Sequence, residues 1–71
     1  MGHMNICENF EKTIGTMTLE GSIYEDGYVV VDLLDQFGHE VATMDGTAED
    51  GNTAELRAHI ENALIDEHYN E

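Results

Sequence analysis

Apolar and polar residues alternate along most of this chain, and the period of that alternation changes once. Between Lys12 and Tyr24, Met17, Leu19 and Ile23 share one parity while Thr16, Thr18, Glu20 and Ser22 share the other. That is the period-two pattern of a half-buried strand. Glu25-Asp26-Gly27 follows as a three-residue hairpin turn in which Gly27 takes positive φ. Tyr28 to Asp35 (YVVVDLLD) is rich in β-branched residues and apolar on both parities, which suits a central strand. Phe37-Gly38 marks the next turn, and Glu40 to Asp45 (EVATMD) makes a shorter third strand.

After the polar loop Asp45 to Gly51 (DGTAEDG) the period becomes 3.6. Asn52 with Glu55 three residues on reads as a capping box, with Thr53 as the alternative cap. Leu56, Ile60, Ala63 and Leu64 then make one apolar stripe on a helix running to about His68. Met4 to Glu11 (MNICENFE) fits two descriptions: Ile6, Cys7 and Phe10 line either a short helix or an extended arm covering part of the sheet. The pattern therefore predicts an α+β fold, a three-stranded antiparallel meander sheet with a C-terminal helix packed on one face, in the order βββα. Met1-Gly2-His3 reads as an expression remnant, leaving residues 4–71 as a single domain.

The three-residue turn also predicts a register. It sets Tyr24 opposite Tyr28, Ser22 opposite Val30 and Glu20 opposite Asp32, while Ile23, Gly21 and Leu19 face Val29, Val31 and Leu33 on the inward side. Glu20 and Asp32 are then like charges placed directly across from each other, a destabilising pair. Tyr24, Tyr28, Val30 and Leu34 fall on the outward face, which is too apolar for bare surface. The N-terminal arm, a second copy in a homodimer, or a partner is expected to cover it.

Size and composition narrow the functional classes. A chain of 71 residues buries only roughly 60% of its unfolded surface, enough for one modest core and little for a catalytic cleft. Cys7 is the only cysteine, so no internal disulfide forms, and with acidic neighbours it reads as a small buried apolar residue. His59 and His68 are nine apart on the helix, about 180° around it, and share no site. His39 lies beside a turn. The loop from Asp45 resembles a calcium loop, but its sixth and twelfth positions hold Asp50 and Leu56 where Gly and Glu are needed. These readings predict no enzyme activity, no metal and no cofactor. No apolar run is long enough for a membrane span, and a cytoplasmic location is expected.

Charge changes the picture most. The chain has 16 Asp and Glu against Lys12 and Arg57, a formal net charge of −14, where a small soluble domain carries a magnitude of about 2 to 8. Two basic side chains exclude direct nucleic-acid binding by phosphate neutralisation. A diameter of very roughly 28 Å from chain-length scaling gives about one net charge per 2 Å, close to the one per about 1.7 Å of a DNA duplex axis. The candidate partner-binding acids are Glu20, Glu25, Asp26, Asp32 and Glu40 on the open sheet face or its turns, with Asp45, Glu49, Asp50, Glu55, Glu61, Asp66 and Glu67 on the loop and helix.

In size, acidity and single-domain economy the chain resembles the small anti-CRISPR proteins of bacteriophages and other mobile elements that act as DNA mimics, in particular those that block type I effector complexes. The resemblance is carried by the strand pair KTIGTMTLEGSIYEDGYVVVDLLD, the acidic loop DGTAEDG and the helix NTAELRAHIENALIDEH. It is a resemblance of type, since these families share no common signature. It implies an inhibitor in the host bacterial cytoplasm whose partner is a basic DNA-binding protein, a Cas effector subunit, occupied at its PAM-reading or target-DNA groove. Two other classes fit an acidic chain: an acidic adaptor or subunit of a larger assembly, and a domain adapted to high salt. Against the last, Glu outnumbers Asp by 10 to 6 and four Met remain.

Overall fold

A computed structural model of the chain describes residues 5–68; the expectations for Met1-Gly2-His3 and for a start at Met4 lie outside them. Among the described residues there are four strands, β1 (Ile6–Ile14), β2 (Met17–Tyr24), β3 (Tyr28–Leu34) and β4 (Glu40–Thr47), followed by the helix α1 (Thr53–His68). They form one antiparallel sheet in the order β1-β2-β3-β4. The α+β class, the meander and the C-terminal helix agree with the sequence pattern. The strand count does not: there are four, not three.

The extra strand comes from the segment expected to be a helix or a covering arm. Gly15-Thr16 is a two-residue hairpin loop, with φ of 61° at Gly15 and no positive φ at Thr16, the signature of a type II′ turn. It divides the stretch Lys12 to Tyr24, so Lys12 to Ile14 closes β1 and the N-terminal residues pair along the sheet edge instead of lying over its face. Cys7 is exposed, not buried. It sits where the β1–β2 register shifts between Ile6 and Glu8, and such an extra residue in one strand is left unpaired and turned out.

The β2–β3 register is the one the turn demands: Leu19↔Leu33, Glu20↔Asp32, Gly21↔Val31, Ser22↔Val30 and Ile23↔Val29. Gly27 has φ of 91° and its N–H donates to the Tyr24 carbonyl at 3.0 Å. Leu19, Ile23, Val29, Val31 and Leu33 point to one side and meet Ile60 and Leu64 of α1 in a fully enclosed core. Burying each such side chain contributes roughly 1.5–3 kcal/mol. Phe10, Met44 and Leu56 pack around it. Phe10 lies over Gly21 opposite it, and a Cβ there would come within 2.5 Å of the ring and collide with the Val30 carbonyl. The ring fills the space that the glycine leaves.

Asn52 caps α1, its Oδ1 accepting the Glu55 N–H at 3.2 Å while its amide donates to Glu55 Oε1 at 3.2 Å. This resolves the alternative between Asn52 and Thr53.

The inward face of β1 is not uniformly apolar. Glu8, Phe10, Lys12 and Ile14 lie opposite Ile23, Gly21, Leu19 and Met17 and so share the helix side. Arg57 of α1 meets them there. Its guanidinium carbon stands 3.7 Å over the Phe10 ring centroid, its Nε–H donates to Glu61 Oε2 at 3.0 Å, and its Nη1 is 3.6 Å from Glu8 Oε2. Lys12 Nζ is 4.0 Å from the other Glu61 oxygen. Glu61 is buried, its side chain 9% exposed. Inward charges are one of the ways in which sheet edges are protected against pairing with other chains. Here they are neutralised from the helix.

Removing one member of a buried ion pair leaves an uncompensated charge, whereas replacing the whole pair with apolar groups is close to neutral. Arg57→Met is therefore expected to lower stability by about 2–4 kcal/mol, and Arg57→Met/Glu61→Met to regain most of it. Urea denaturation of the three proteins checks this, and a double variant no more stable than the single would overturn it.

Candidate functional site

The helix covers one face of the sheet and leaves the other open. Strand alternation assigns that open face without ambiguity: residues beside the inward set point outward, and directly paired residues share a face. Glu11 pairs with Glu20, Glu20 with Asp32, and Asp32 with Thr43. Three carboxylates therefore cross three adjacent strands in one row, with Cβ steps of about 5 Å. A second row carries Asn9, Ser22, Val30 and Asp45, tied at one end by the Ser22 hydroxyl donating to Asn9 Oδ1 at 2.7 Å. Glu11, Glu20, Asp32, Ser22 and Val30 line a shared shallow depression.

The expected site residues divide clearly. Glu20 and Asp32 belong to the carboxylate row. Asp45 is on the same face and accepts the Tyr28 hydroxyl proton in a 2.5 Å hydrogen bond. Glu40 opens β4, exposed, opposite Leu34. Glu25 and Asp26 are exposed in the β2–β3 loop, where Asp26 Oδ1 accepts the Tyr28 N–H at 3.1 Å. Glu49, Asp50 and Glu55 cluster at the start of α1, Asp50 accepting the Asn52 N–H at 2.9 Å. Asp66 and Glu67 are exposed in its last turns, about 17 Å farther along the helix. The loop and helix acids thus form two separate groups. Glu61 joins neither, because its carboxylate is turned inward to Arg57 and Lys12.

Glu11 is a member of the row that the sequence reading missed. Its signal was the Gly15-Thr16 pair: a two-residue loop there sets Glu11 opposite Glu20, just as the Gly27 turn sets Glu20 opposite Asp32.

The chain's only Lys and Arg side chains both lie in the ion cluster on the helix side. Among the described residues the open face therefore carries no Lys or Arg. Two carboxylates about 5 Å apart repel by roughly 0.8 kcal/mol in water before salt screening, so the row weakens the fold by a modest amount. Asp66 and Glu67 near the C-terminus of α1 oppose the helix dipole as well.

One phenol and one carboxyl are shifted from their ordinary values by their partners. Hydrogen bonding to Asp45, with burial and the charge of Asp45 behind it, pushes the Tyr28 phenol up to about 12. The backbone N–H groups of His39 and then Phe37, both 2.9 Å from Asp35 Oδ1, hold the Asp35 carboxyl below its ordinary value. That carboxylate fixes the β3–β4 turn. Among the described residues no group of three His, Cys, Asp or Glu is placed to hold a metal ion, and no helix is long and apolar enough to cross a membrane. Compared with known protein families, curated proteins and solved structures, the chain matches none.

Two measurements follow from this geometry. Glu20→Gln relieves repulsion from both neighbours and should stabilise the fold by up to about 1 kcal/mol, raising Tm by about 4–8 °C per kcal/mol. The gain should shrink in high salt, and a lower Tm would contradict the repulsive row. Tyr28 is neutral in its bonded form and its folded value lies above the ordinary 10.0. Its contribution to stability is thus complete below pH 10 and lost as pH rises toward 12. Phenolate absorbance should show one late-titrating tyrosine that disappears in Tyr28→Phe; an unchanged titration curve would refute the Tyr28–Asp45 bond.

Proposed function

We propose that this protein is a DNA-mimicking inhibitor that binds a basic DNA-binding groove of a CRISPR-Cas effector, or of another phage-defence nuclease, and blocks target-DNA binding. The observation that carries this reading is the segregation of charge. Both Lys12 and Arg57 point to the helix side, and the opposite face presents a carboxylate row with no Lys or Arg side chain on it. Along the 33 Å long axis the net charge of −14 averages about one per 2.4 Å, against one per about 1.7 Å of duplex axis. The molecule is more elongated than chain-length scaling suggests, so the density is lower than that estimate but still of the same order as DNA.

The mechanism is competition. A groove built for phosphates focuses a positive field, and an anionic body of this size is steered into it at an enhanced rate. Paired strands hold the backbone positions of these acids before binding, so only their side chains remain to be ordered, which lowers the entropic cost of association. Inhibition follows because target DNA needs the same cations.

A second reading, an acidic subunit of a larger assembly, draws on Val30 and Leu34, which are only partly covered on the open face. Both readings require a partner; they differ in whether that partner gives up DNA.

A guide-loaded type I effector complex titrated with the protein in the presence of labelled target duplex tests the proposal. Target-DNA binding should fall while guide RNA stays bound, and the inhibition should weaken between about 50 and 200 mM salt. The protein itself should stay folded at the low-salt end, unlike a domain that depends on high salt. DNA binding that persists at saturating protein, across effectors and phage-defence nucleases, would overturn the reading.

A further inference from the structure

We propose that the open sheet face docks an arginine-bearing protein surface, whose guanidinium groups cover its apolar positions while pairing with Glu11, Glu20 and Asp32. The inference rests on the basic-partner reading above and goes further, naming the face and the kind of cation.

Acid and apolar groups on this face are interleaved, not segregated. Val30, Asp32 and Leu34 follow each other along the outward side of β3, about 6.8 Å apart, each only partly covered. Asp32 thus stands between two aliphatic side chains, with Glu20 and Glu11 beside it across the sheet. Ile6, 48% exposed, lies opposite Tyr24 at the sheet's edge. A water-facing side of an antiparallel sheet is ordinarily polar, so this one has the composition of a surface that is covered in use.

The occupant must satisfy both halves of that composition. A second copy fails on charge, since it would bring one uncompensated carboxylate row against another at a net charge of −14 each. A lysine ammonium is a strongly hydrated point charge, and reaching Asp32 between Val30 and Leu34 would strip its water without replacing it. A guanidinium is flat and weakly hydrated, lies on apolar and aromatic surface, and binds a carboxylate through two parallel N–H groups.

The protein already contains this arrangement on its other face. In the cluster around Glu61, the guanidinium carbon of Arg57 stands 3.7 Å over the Phe10 ring centroid and the group reaches both Glu61 and Glu8. Lys12 stays at the rim, 55% exposed and 4.0 Å from Glu61. The cluster therefore shows a guanidinium meeting an aromatic ring and two carboxylates at once, the combination the open face asks of a partner.

Titration of the isotope-labelled full chain with oligoarginine and with oligolysine peptides of equal length, followed by amide shifts and calorimetry, tests the proposal. Oligoarginine should bind about 10-fold or more tightly than oligolysine, with shifts concentrated on β1, β2 and β3. Val30→Thr, which keeps every charge, should remove most of that preference, and Glu20→Gln/Asp32→Asn should weaken both peptides. Thermal melts confirm that the variants are folded. Equal affinities for the two peptides, or shifts centred on Glu49, Asp50, Asp66 and Glu67, would overturn the docking face while leaving the basic-partner reading standing. Failure of both peptides to bind at low salt would sink both. A protein that sediments as a dimer with the open face protected would overturn the docking face in favour of self-association.

Discussion

Arg57 reaches from the helix to the first strand of the sheet, and much of the molecule's organisation turns on where that side chain is spent. It stacks on Phe10, which in turn fills the space above Gly21, and it neutralises Glu61, a carboxylate turned inward beside the core. With Lys12 it compensates the inward charges of the edge strand. The same contact therefore attaches β1 to the helix, permits an edge strand with charged inward positions, and uses up the positive charge available to the whole chain. A core built from seven enclosed aliphatic side chains then supports a surface in which nearly all remaining charge has one sign.

That arrangement explains how two demands in tension coexist. Repulsion across Glu11, Glu20 and Asp32 acts against the sheet, but with water screening each exposed pair it amounts, per pair, to less than the burial of one aliphatic residue. The well-paired central strands β2 and β3, whose inward Leu19, Val29, Val31 and Leu33 are buried, absorb it. Acids at the ends of α1 contribute less to any single face because the helix separates them. The open face is where like charges are paired directly across neighbouring strands, and it is also where apolar groups remain partly uncovered.

How much of this was legible follows from the residues themselves. The β2–β3 hairpin was readable because Gly27 fixes the loop and the alternation of β2 fixes which of its residues face the apolar β3, so the opposition of Glu20 and Asp32 came out correctly. The helix was readable from the Asn52–Glu55 cap and the Leu56, Ile60, Leu64 spacing. β1 was not, because Glu8 and Lys12 occupy inward positions and break its apolar alternation; only their partners on a distant helix make those positions tolerable. The loss of β1 hid Glu11 and placed Cys7 inside. Glu61 looked like any other helical acid for the same reason. Its burial depends on Arg57 one turn away and on Lys12 nearly fifty residues back, a coincidence of faces that periodicity does not encode.

The meander itself has a consequence for how such a chain reaches its native state. Each strand pairs with its sequence neighbour, through loops of two, three and five residues, and the helix follows after one more short connection. Closing a loop costs more as it lengthens, and a polyanionic chain adds mutual repulsion that holds distant segments apart. Here no strand must find a remote partner before its own hairpin has formed, so assembly proceeds through nearby contacts of the kind associated with faster folding. A fold with long crossovers would have to bring far-separated stretches of like charge together at the start. The local topology lets a self-repelling polymer condense stepwise, and it is compatible with rapid production of a working protein soon after synthesis.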